Sequence, residues 1–340
     1  MNGVKPATDD EKFMRMALAQ ARKGLGKTHP NPAVGAVIVR SNRVIASGWH
    51  RGAGRPHAEI EAIRTWGKST EGATIYITLE PCSTHGRTPP CTDAIVSGKF
   101  ARVVYGATDP NPDHQGRARR ILKKAGITVT EGILGEECSE LNAAWNKWIV
   151  TGQPYVVAKA GLTLDGRISS HPESRWITND RSRRDAMKYR TQVGAIIVGA
   201  GTVRIDNPQL TIRGITRAPQ PWRVVISRFG QLPPESHLLT DEHKDRTLVF
   251  PSLKKALHDL GKRGVVCVLI EGGGQILGEA FERGLVDAVR FYMAPLLAGG
   301  PAPAVGGRGV GRNEDALKLE KVRYQRFGDD VRMTGIVLKN

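Results

Sequence analysis

Short apolar runs alternate with amphipathic stretches along the first 150 residues, and this rhythm constrains the fold more than any other feature. Thr8 and Glu11 form a capping-box pattern, and Phe13, Met16, Ala17 and Ala21 then recur at helical spacing up to Gly24. "AVGAVIV" and "VIASGWH" read as strands joined by the turn "RSNR", and "HAEIEAIRTW" as a helix. "TIYITLE", "CTDAIVSG", "RVVYGA", "RARRILKKAG" and "ITVTEGI" continue the alternation, and a helix is expected over about 136–150. Such a succession predicts a layered α/β domain with a largely parallel sheet. "TGQP" (151–154) interrupts it, and "YVVAKAG" starts a second series. That series has a helix near 179–192 and the strands "AIIVGA", "RVVIS", "TLVF" and "VVCVLI". A helix near 275–283 and the strand "AVRFYMAP" complete it, and "GGPAPAVGGRGVG" (299–311) reads as a mobile loop. A length of 340 residues suits two domains, placed at 1–150 and 154–340.

Composition excludes several classes. Four cysteines are too few for a disulfide scaffold, and Cys138 and Cys267 read as inert thiols. No apolar run reaches membrane-spanning length, and "MNGVKPATDDEK" lacks the apolar core of a secretory signal, so a soluble cytoplasmic protein is expected. A net charge of +17 suggests an anionic partner, either nucleic acid or a phosphorylated small molecule. The densest basic runs, 116–124 and 181–190, read as helices with charged outer faces. Aromatic residues make up only 6% and do not interleave with them, which weighs against single-strand binding.

"HAE" and "LEPCSTHGRTPPC" carry the first chemistry. His57, Cys82 and Cys91 form a three-ligand set of the kind that leaves a fourth zinc position to water. Helix starts after strands favour the thiolate form. Glu59 lies too close to His57 to be an obvious ligand and suits a proton shuttle from activated water to a leaving amine. The pattern is that of zinc nucleobase deaminases, except that eight residues rather than two separate the cysteines. A closed structural zinc site would need a fourth ligand, for which His85 is the one candidate. A nucleic-acid-editing deaminase is the other alternative.

"THPNPAVGAVIV", "PHAEIEAI", "LEPCSTHGRTPPC" and "DPNP" together resemble the deaminase half of the bifunctional riboflavin-biosynthesis deaminase–reductases. The resemblance implies a cytidine-deaminase-like α/β/α domain and substrate contacts from Asn31, His50 and Arg87. Asn31 between two prolines also fits a turn, His50 a strand end, and Arg87 a solvated loop. Thr84 stands where the family usually has a histidine, Ala118 where it has a glycine, and Glu61 where a histidine is common.

In the second half, "VVCVLIEGGGQ" runs from a strand through three glycines into a helix, an arrangement suited to phosphate but also to a plain tight turn. "KAGLTLDGRI", "SRWIT", "GAGTVRIDNPQLTIR" and "EGGGQ" resemble the reductase half of the same family, whose fold is similar to dihydrofolate reductase. By that resemblance Gly161, Trp176, Thr202, Asp206 and the loop Gly272, Gly273, Gly274, Gln275 would hold NADPH. Ser174, Arg190, Leu210, Arg213 and Glu271 would hold the sugar phosphate, with Arg190 and Arg213 able to present paired donors. Asp165 fits a tight turn, and its role is open. Thr163 replaces a family serine, and "VISR" (225–228) replaces "VIDS" at a cofactor contact. The resemblance implies Zn²⁺ and NADPH as cofactors, a homo-oligomer, and two reactions on a phosphorylated pyrimidine. These are deamination of 2,5-diamino-6-(5-phosphoribosylamino)pyrimidin-4-one, then reduction of the ribosyl group of the uracil product to ribityl.

Overall fold

The capping box forms as its spacing requires. Thr8 Oγ1 accepts from the Glu11 amide and the Glu11 carboxylate accepts from the Thr8 amide, both at 3.2 Å, opening α1 (Asp9–Ala21). The computed structural model describes residues 8–85, 89–112, 114–168, 176–215 and 218–338. It divides into two units, Met1–Thr151 and Gly152–Asn340.

In the first unit, β1 (Gly35–Arg40) turns at Ser41 and Asn42, both with positive φ, into β2 (Arg43–Trp49). α2 (Ala58–Trp66), β3 (Thr74–Leu79), α3 (Cys91–Ser97), β4 (Arg102–Ala107), α4 (Arg117–Lys124), β5 (Thr128–Glu131), α5 (Gly135–Leu141) and α6 (Ala143–Thr151) follow. The sheet order is β2-β1-β3-β4-β5. It is mixed rather than largely parallel. β1 is antiparallel to both its neighbours, and only β3, β4 and β5 run parallel. The two-residue turn forces this, because parallel neighbours need a long crossover.

α2, α3 and α4 cover one face through Ala58, Ala62, Ile95, Ala118 and Leu122. α1 and α5 lie on the other, where Phe13 meets Tyr76 with ring centroids 5.2 Å apart. The result is a three-layer α/β/α unit. Gly48 lets α2 lie on β2, since a Cβ there would come within 2.4 Å of the Ala58 carbonyl oxygen. The helix expected over 136–150 is broken at Asn142. Its side chain accepts from the Ala33 amide at 2.8 Å and donates to the Ala33 carbonyl at 3.0 Å.

The second unit runs β6 (Tyr155–Thr163), α7 (Asp180–Arg190), β7 (Ala195–Gly199), α8 (Ala200–Asp206), β8 (Trp222–Ile226), α9 (His237–Thr240) and β9 (Thr247–Phe250). It continues with α10 (Leu253–Lys262), β10 (Cys267–Ile270), α11 (Gly274–Glu282), β11 (Ala288–Ala294), β12 (Leu319–Phe327) and β13 (Asp330–Val337). Its sheet order is β12-β13-β11-β6-β10-β7-β8-β9, parallel from β11 to β9 and closed by the antiparallel β12–β13 hairpin. α8, α9, α10, β12 and β13 are additions to the sequence reading.

The loop expected to be mobile is pinned over part of its length. Gly306 N donates to Gly274 O and Ala304 N to Gly166 O, both at 2.8 Å, while Ala304 is buried. Glycines on α11 make this approach possible, since a Cβ on Gly278 would fall 2.3 Å from the Gly306 oxygen.

Candidate active sites

His57 is the N-cap of α2 and Cys91 the first residue of α3, while Cys82 lies in the loop that leaves β3. Their ligand atoms lie within 4.8 Å of one another. His57 Nδ1 is 3.4 Å from Cys82 Sγ and 3.3 Å from Cys91 Sγ, and the Cys91 amide donates to Cys82 Sγ at 3.2 Å. Zinc bound at about 2.3 Å to sulfur and about 2.05 Å to nitrogen makes a tetrahedral S···N edge of about 3.6 Å, so the trio fits that ion. The thiols interact strongly. Cys82 is lowered to about 4 by hydrogen bonding to Cys91, with His57 adding to the effect, whereas Cys91 is pushed well up. His57 is raised, chiefly by its bond to Cys82.

Glu59, 3% exposed, sits in the first turn of α2, and burial pushes its carboxyl upward. With His57 and Cys82 it lines a cavity of about 430 Å³, while Cys91 is buried behind it. His85 is exposed and is not part of the cluster, which among the described residues holds three ligands.

Asn31 and His50 also line this cavity. His50 Nδ1 is 3.1 Å from the Pro56 carbonyl, which can only accept. Nδ1 therefore carries the proton, and Nε2 accepts from the Asn31 amide at 3.1 Å. Burial lowers the His50 pKa and keeps the ring neutral. Arg87 lies outside the described residues. Ala118 is an ordinary first-turn residue of α4 whose amide donates to buried Glu80 at 3.2 Å, so that position needs no glycine. Glu61 pairs with Arg51 at 3.0 Å.

Several lining residues escaped the sequence reading. Asp109, Asn111 and His114 come from the β4–α4 loop, and Trp145, Trp148 and Ile149 from α6. "DPNP" was the available signal for the first group. Burial raises the Asp109 carboxyl to about 6.

The second unit holds a cavity of about 370 Å³. It brings together Gly161, Trp176, Thr202, Asp206, Gly272 and Gly273 from the cofactor set, and Arg190, Leu210, Arg213 and Glu271 from the sugar-phosphate set. Ser174 lies outside the described residues. Gly272 and Gly273 have φ of +134° and +71°, conformations only glycine adopts readily. Gly274 instead packs against the Pro303 carbonyl, and Gln275 lines an adjoining groove with Ser227 and Arg228.

Glu271 follows β10 directly, with its side chain 7% exposed. Arg190 Nε and one Nη donate to its two oxygens at 2.6 and 2.8 Å, and the other Nη donates to the Thr211 carbonyl at 2.7 Å. Arg190 thus serves first as counterion, with two of its five N–H groups left for a ligand. Arg213 donates to Gln209 at 2.9 Å. Leu210 is buried with φ of +52°, a strained backbone beside the cavity. Trp176 is 58% exposed, with the Arg183 guanidinium 4.7 Å from its ring centroid. Lys159, an ionisable residue inside the apolar strand β6, was missed; its Nζ is 3.6 Å from Glu271. Asp165 accepts from the Ala298 and Gly299 amides at 3.1 and 2.7 Å, which ties its turn to a segment more than 130 residues further along the chain.

A deaminase-type trio beside a buried glutamate, in an α/β/α unit followed by a second α/β unit with its own cavity, defines a two-domain deaminase–reductase. Residues 7–107 match the cytidine and deoxycytidylate deaminase zinc-binding region, and residues 154–333 the RibD C-terminal domain. The chain is 38% identical to the riboflavin biosynthesis protein RibD of Escherichia coli K12, over 95% of this chain and 98% of that one. It is 36% identical to RibD of Bacillus amyloliquefaciens, over 96% of each. Two solved structures cover 97% of the chain and 99% of their own length. They are Acinetobacter baumannii RibD (form 1), with a TM-score of 0.89 and 36% identity, and a Thermotoga maritima diaminohydroxyphosphoribosylaminopyrimidine deaminase/5-amino-6-(5-phosphoribosylamino)uracil reductase, at 0.87 and 33%.

The chain belongs to the RibD family. It is a bifunctional enzyme of riboflavin biosynthesis, with a zinc-dependent deaminase domain and an NADPH-dependent reductase domain. None of its described helices is long and apolar enough to cross a membrane.

Proposed function

We propose that residues 1–150 deaminate 2,5-diamino-6-(5-phosphoribosylamino)pyrimidin-4-one and that residues 154–340 reduce the ribosyl group of the resulting uracil to ribityl. The observation that carries this reading is the His57–Cys82–Cys91 trio, of which His57 and Cys82 open with Glu59 into one cavity large enough for a substituted pyrimidine. The T. maritima relative is named for these two activities.

His57, Cys82 and Cys91 would hold the zinc. When bound, zinc lowers the pKa of a water to about 7 and so supplies the nucleophile. Glu59 would carry a proton from the attacking water to the exocyclic nitrogen, so that water and an amine become a ring carbonyl and ammonia. The raised Glu59 pKa suits a group that must both accept and give. Asn31 and the neutral His50 hold the ring edge.

In the reductase domain NADPH supplies hydride. Lys159 and Arg190 keep Glu271 ionised, so that its oxygens accept from sugar hydroxyls while the remaining Arg190 donors and Arg213 meet the phosphate. Gly272 and Gly273 allow the cofactor to approach the backbone, and Trp176 packs on it. Two finer readings accompany this one. The chain self-associates, supported by the outer edge of β12, which has no strand partner among the described residues and exposes Tyr324. It works in the cytoplasm, where NADPH and free cysteines are maintained.

The test is ammonia release by zinc-loaded protein with and without NADPH. Ammonia in both samples, with NADPH consumed in the second, supports both reactions. Zinc at full occupancy without ammonia refutes the first.

A further inference from the structure

The deaminase cavity has a floor and a rim. Glu59 and His50 are buried, whereas Thr84 and His114 are half-buried and Arg55 is exposed. The trio and Glu59 fix where the reacting carbon must go, so the bulky substituent of the ring extends toward the rim.

Two histidines outside the trio line the cavity, and they are used differently. Both nitrogens of His50 are occupied, by Asn31 and Pro56. Among the described residues, the His114 ring hydrogen-bonds only with Thr84, whose Oγ1 lies 3.3 Å from Nδ1 and 3.4 Å from Nε2. One hydroxyl can satisfy one of these nitrogens, so the other keeps its hydrogen-bonding capacity toward the cavity. Thr84 lies two residues beyond Cys82, so this bond ties the His114 loop to the loop that carries a metal ligand. The backbone holds the residue in place, since His114 N donates to Asn111 O at 2.9 Å and Arg117 N donates to His114 O at 3.0 Å.

We infer that His114, oriented by Thr84, binds the phosphoribosyl group of the deaminase substrate. This chain then has an imidazole at its rim, where the described part of the cysteine loop beyond Cys82 contributes Thr84. The cationic side chain of Arg55, also on the rim, places positive charge on the same side as the phosphate. The inference rests on the deaminase reading given above.

The experiment measures ammonia release by full-length, zinc-loaded parent, His114→Ala, His114→Gln and the exchange variant Thr84→His/His114→Ala. Each is assayed with the phosphorylated substrate and with its dephosphorylated counterpart, and with ribose 5-phosphate as inhibitor. Loss of one hydrogen bond to a charged group predicts KM for the phosphorylated substrate up about tenfold in His114→Ala, with kcat within about twofold. The inhibition constant of ribose 5-phosphate rises in parallel, and KM for the dephosphorylated substrate is unchanged. His114→Gln, which keeps a donor, and the exchange variant recover most of the loss. Zinc stoichiometry equal to the parent's shows that the site is still assembled.

The inference is overturned if KM stays within about twofold, or rises equally for both substrates. A fall in kcat alone, or loss of zinc in both single variants, assigns His114 a structural role and also overturns it. A parent that binds zinc and releases no ammonia refutes the deaminase reading itself, a distinct result.

Discussion

Glu271→Gln is the most direct test of how the reductase cavity is held together. Burial alone would raise the Glu271 carboxyl, but Arg190, and then Lys159, outweigh it and bring the value from 4.5 down to about 2. That fall corresponds to about 3 kcal/mol of stabilisation. Because the folded-state value lies below the unfolded one, the stabilisation is complete above about pH 4.5 and is lost as pH falls through about 2, with half remaining near pH 3.3. Glutamine keeps the shape and removes the charge, leaving Arg190 buried without its counterion. For a domain of this size, about 3 kcal/mol lowers Tm by about 6–12 °C.

The assay is calorimetry of the full chain, with the reductase transition identified by its upward movement on adding NADPH. The gap between parent and variant is expected in full at pH 7 and halved near pH 3.3. Lys159→Met/Arg190→Met/Glu271→Met should return Tm to within a few degrees of the parent, because removing all three charges leaves none unpaired. A Glu271→Gln protein as stable as the parent at pH 7, or a gap equal at both pH values, would refute the reasoning.

Glu59→Gln should lower kcat for ammonia release by about 10²- to 10⁴-fold with zinc content unchanged; lost zinc would instead make Glu59 structural. Cys91→Ala should abolish zinc binding and ammonia release together, while NADPH oxidation with the ribosylaminouracil persists. Loss of both activities would contradict the division of labour between the domains. Gly278→Ala sets a methyl against the Gly306 backbone and should cost about 1–3 kcal/mol by overpacking. Differential scanning of the reductase transition reads that cost, and ammonia release serves as the control that should not move.

His57, Glu59, Cys82 and Cys91 were legible because the chemistry demands fixed residue types at short spacings, each beside a strand end or helix start. Asp109, His114 and Trp145 were not, since they reach the same cavity from segments tens of residues away with no metal-type spacing of their own. Asn142 breaks a stretch that reads as one helix because its amide finds both backbone groups of Ala33, a tertiary pairing invisible to local propensity. α10 was readable in principle, as Leu253, Ala256, Leu257 and Leu260 lie on one buried face. β12 was not. Its residues are exposed almost throughout, so no apolar alternation marks "EKVRYQR" as a strand.

The site residues at strand ends share a physical cause, whether or not the sequence made them legible. Cys82 leaves β3 and Asp109 leaves β4, neighbouring parallel strands; Glu271 leaves β10, which lies between β6 and β7. In open parallel sheets ligands bind beyond the carboxyl ends of the strands. A buried parallel strand must be apolar along its length, so functional side chains can appear only where it stops. That is why "TIYITLEPC" and "VVCVLIEGGG" each pass from mainly apolar, uncharged residues to chemistry within two or three positions. Lys159 breaks the rule by sitting inside β6, and it is tolerated because Glu271 emerges from the adjacent strand 3.6 Å away. An ionisable residue in the middle of an apolar run therefore implies a partner at the end of a neighbouring run.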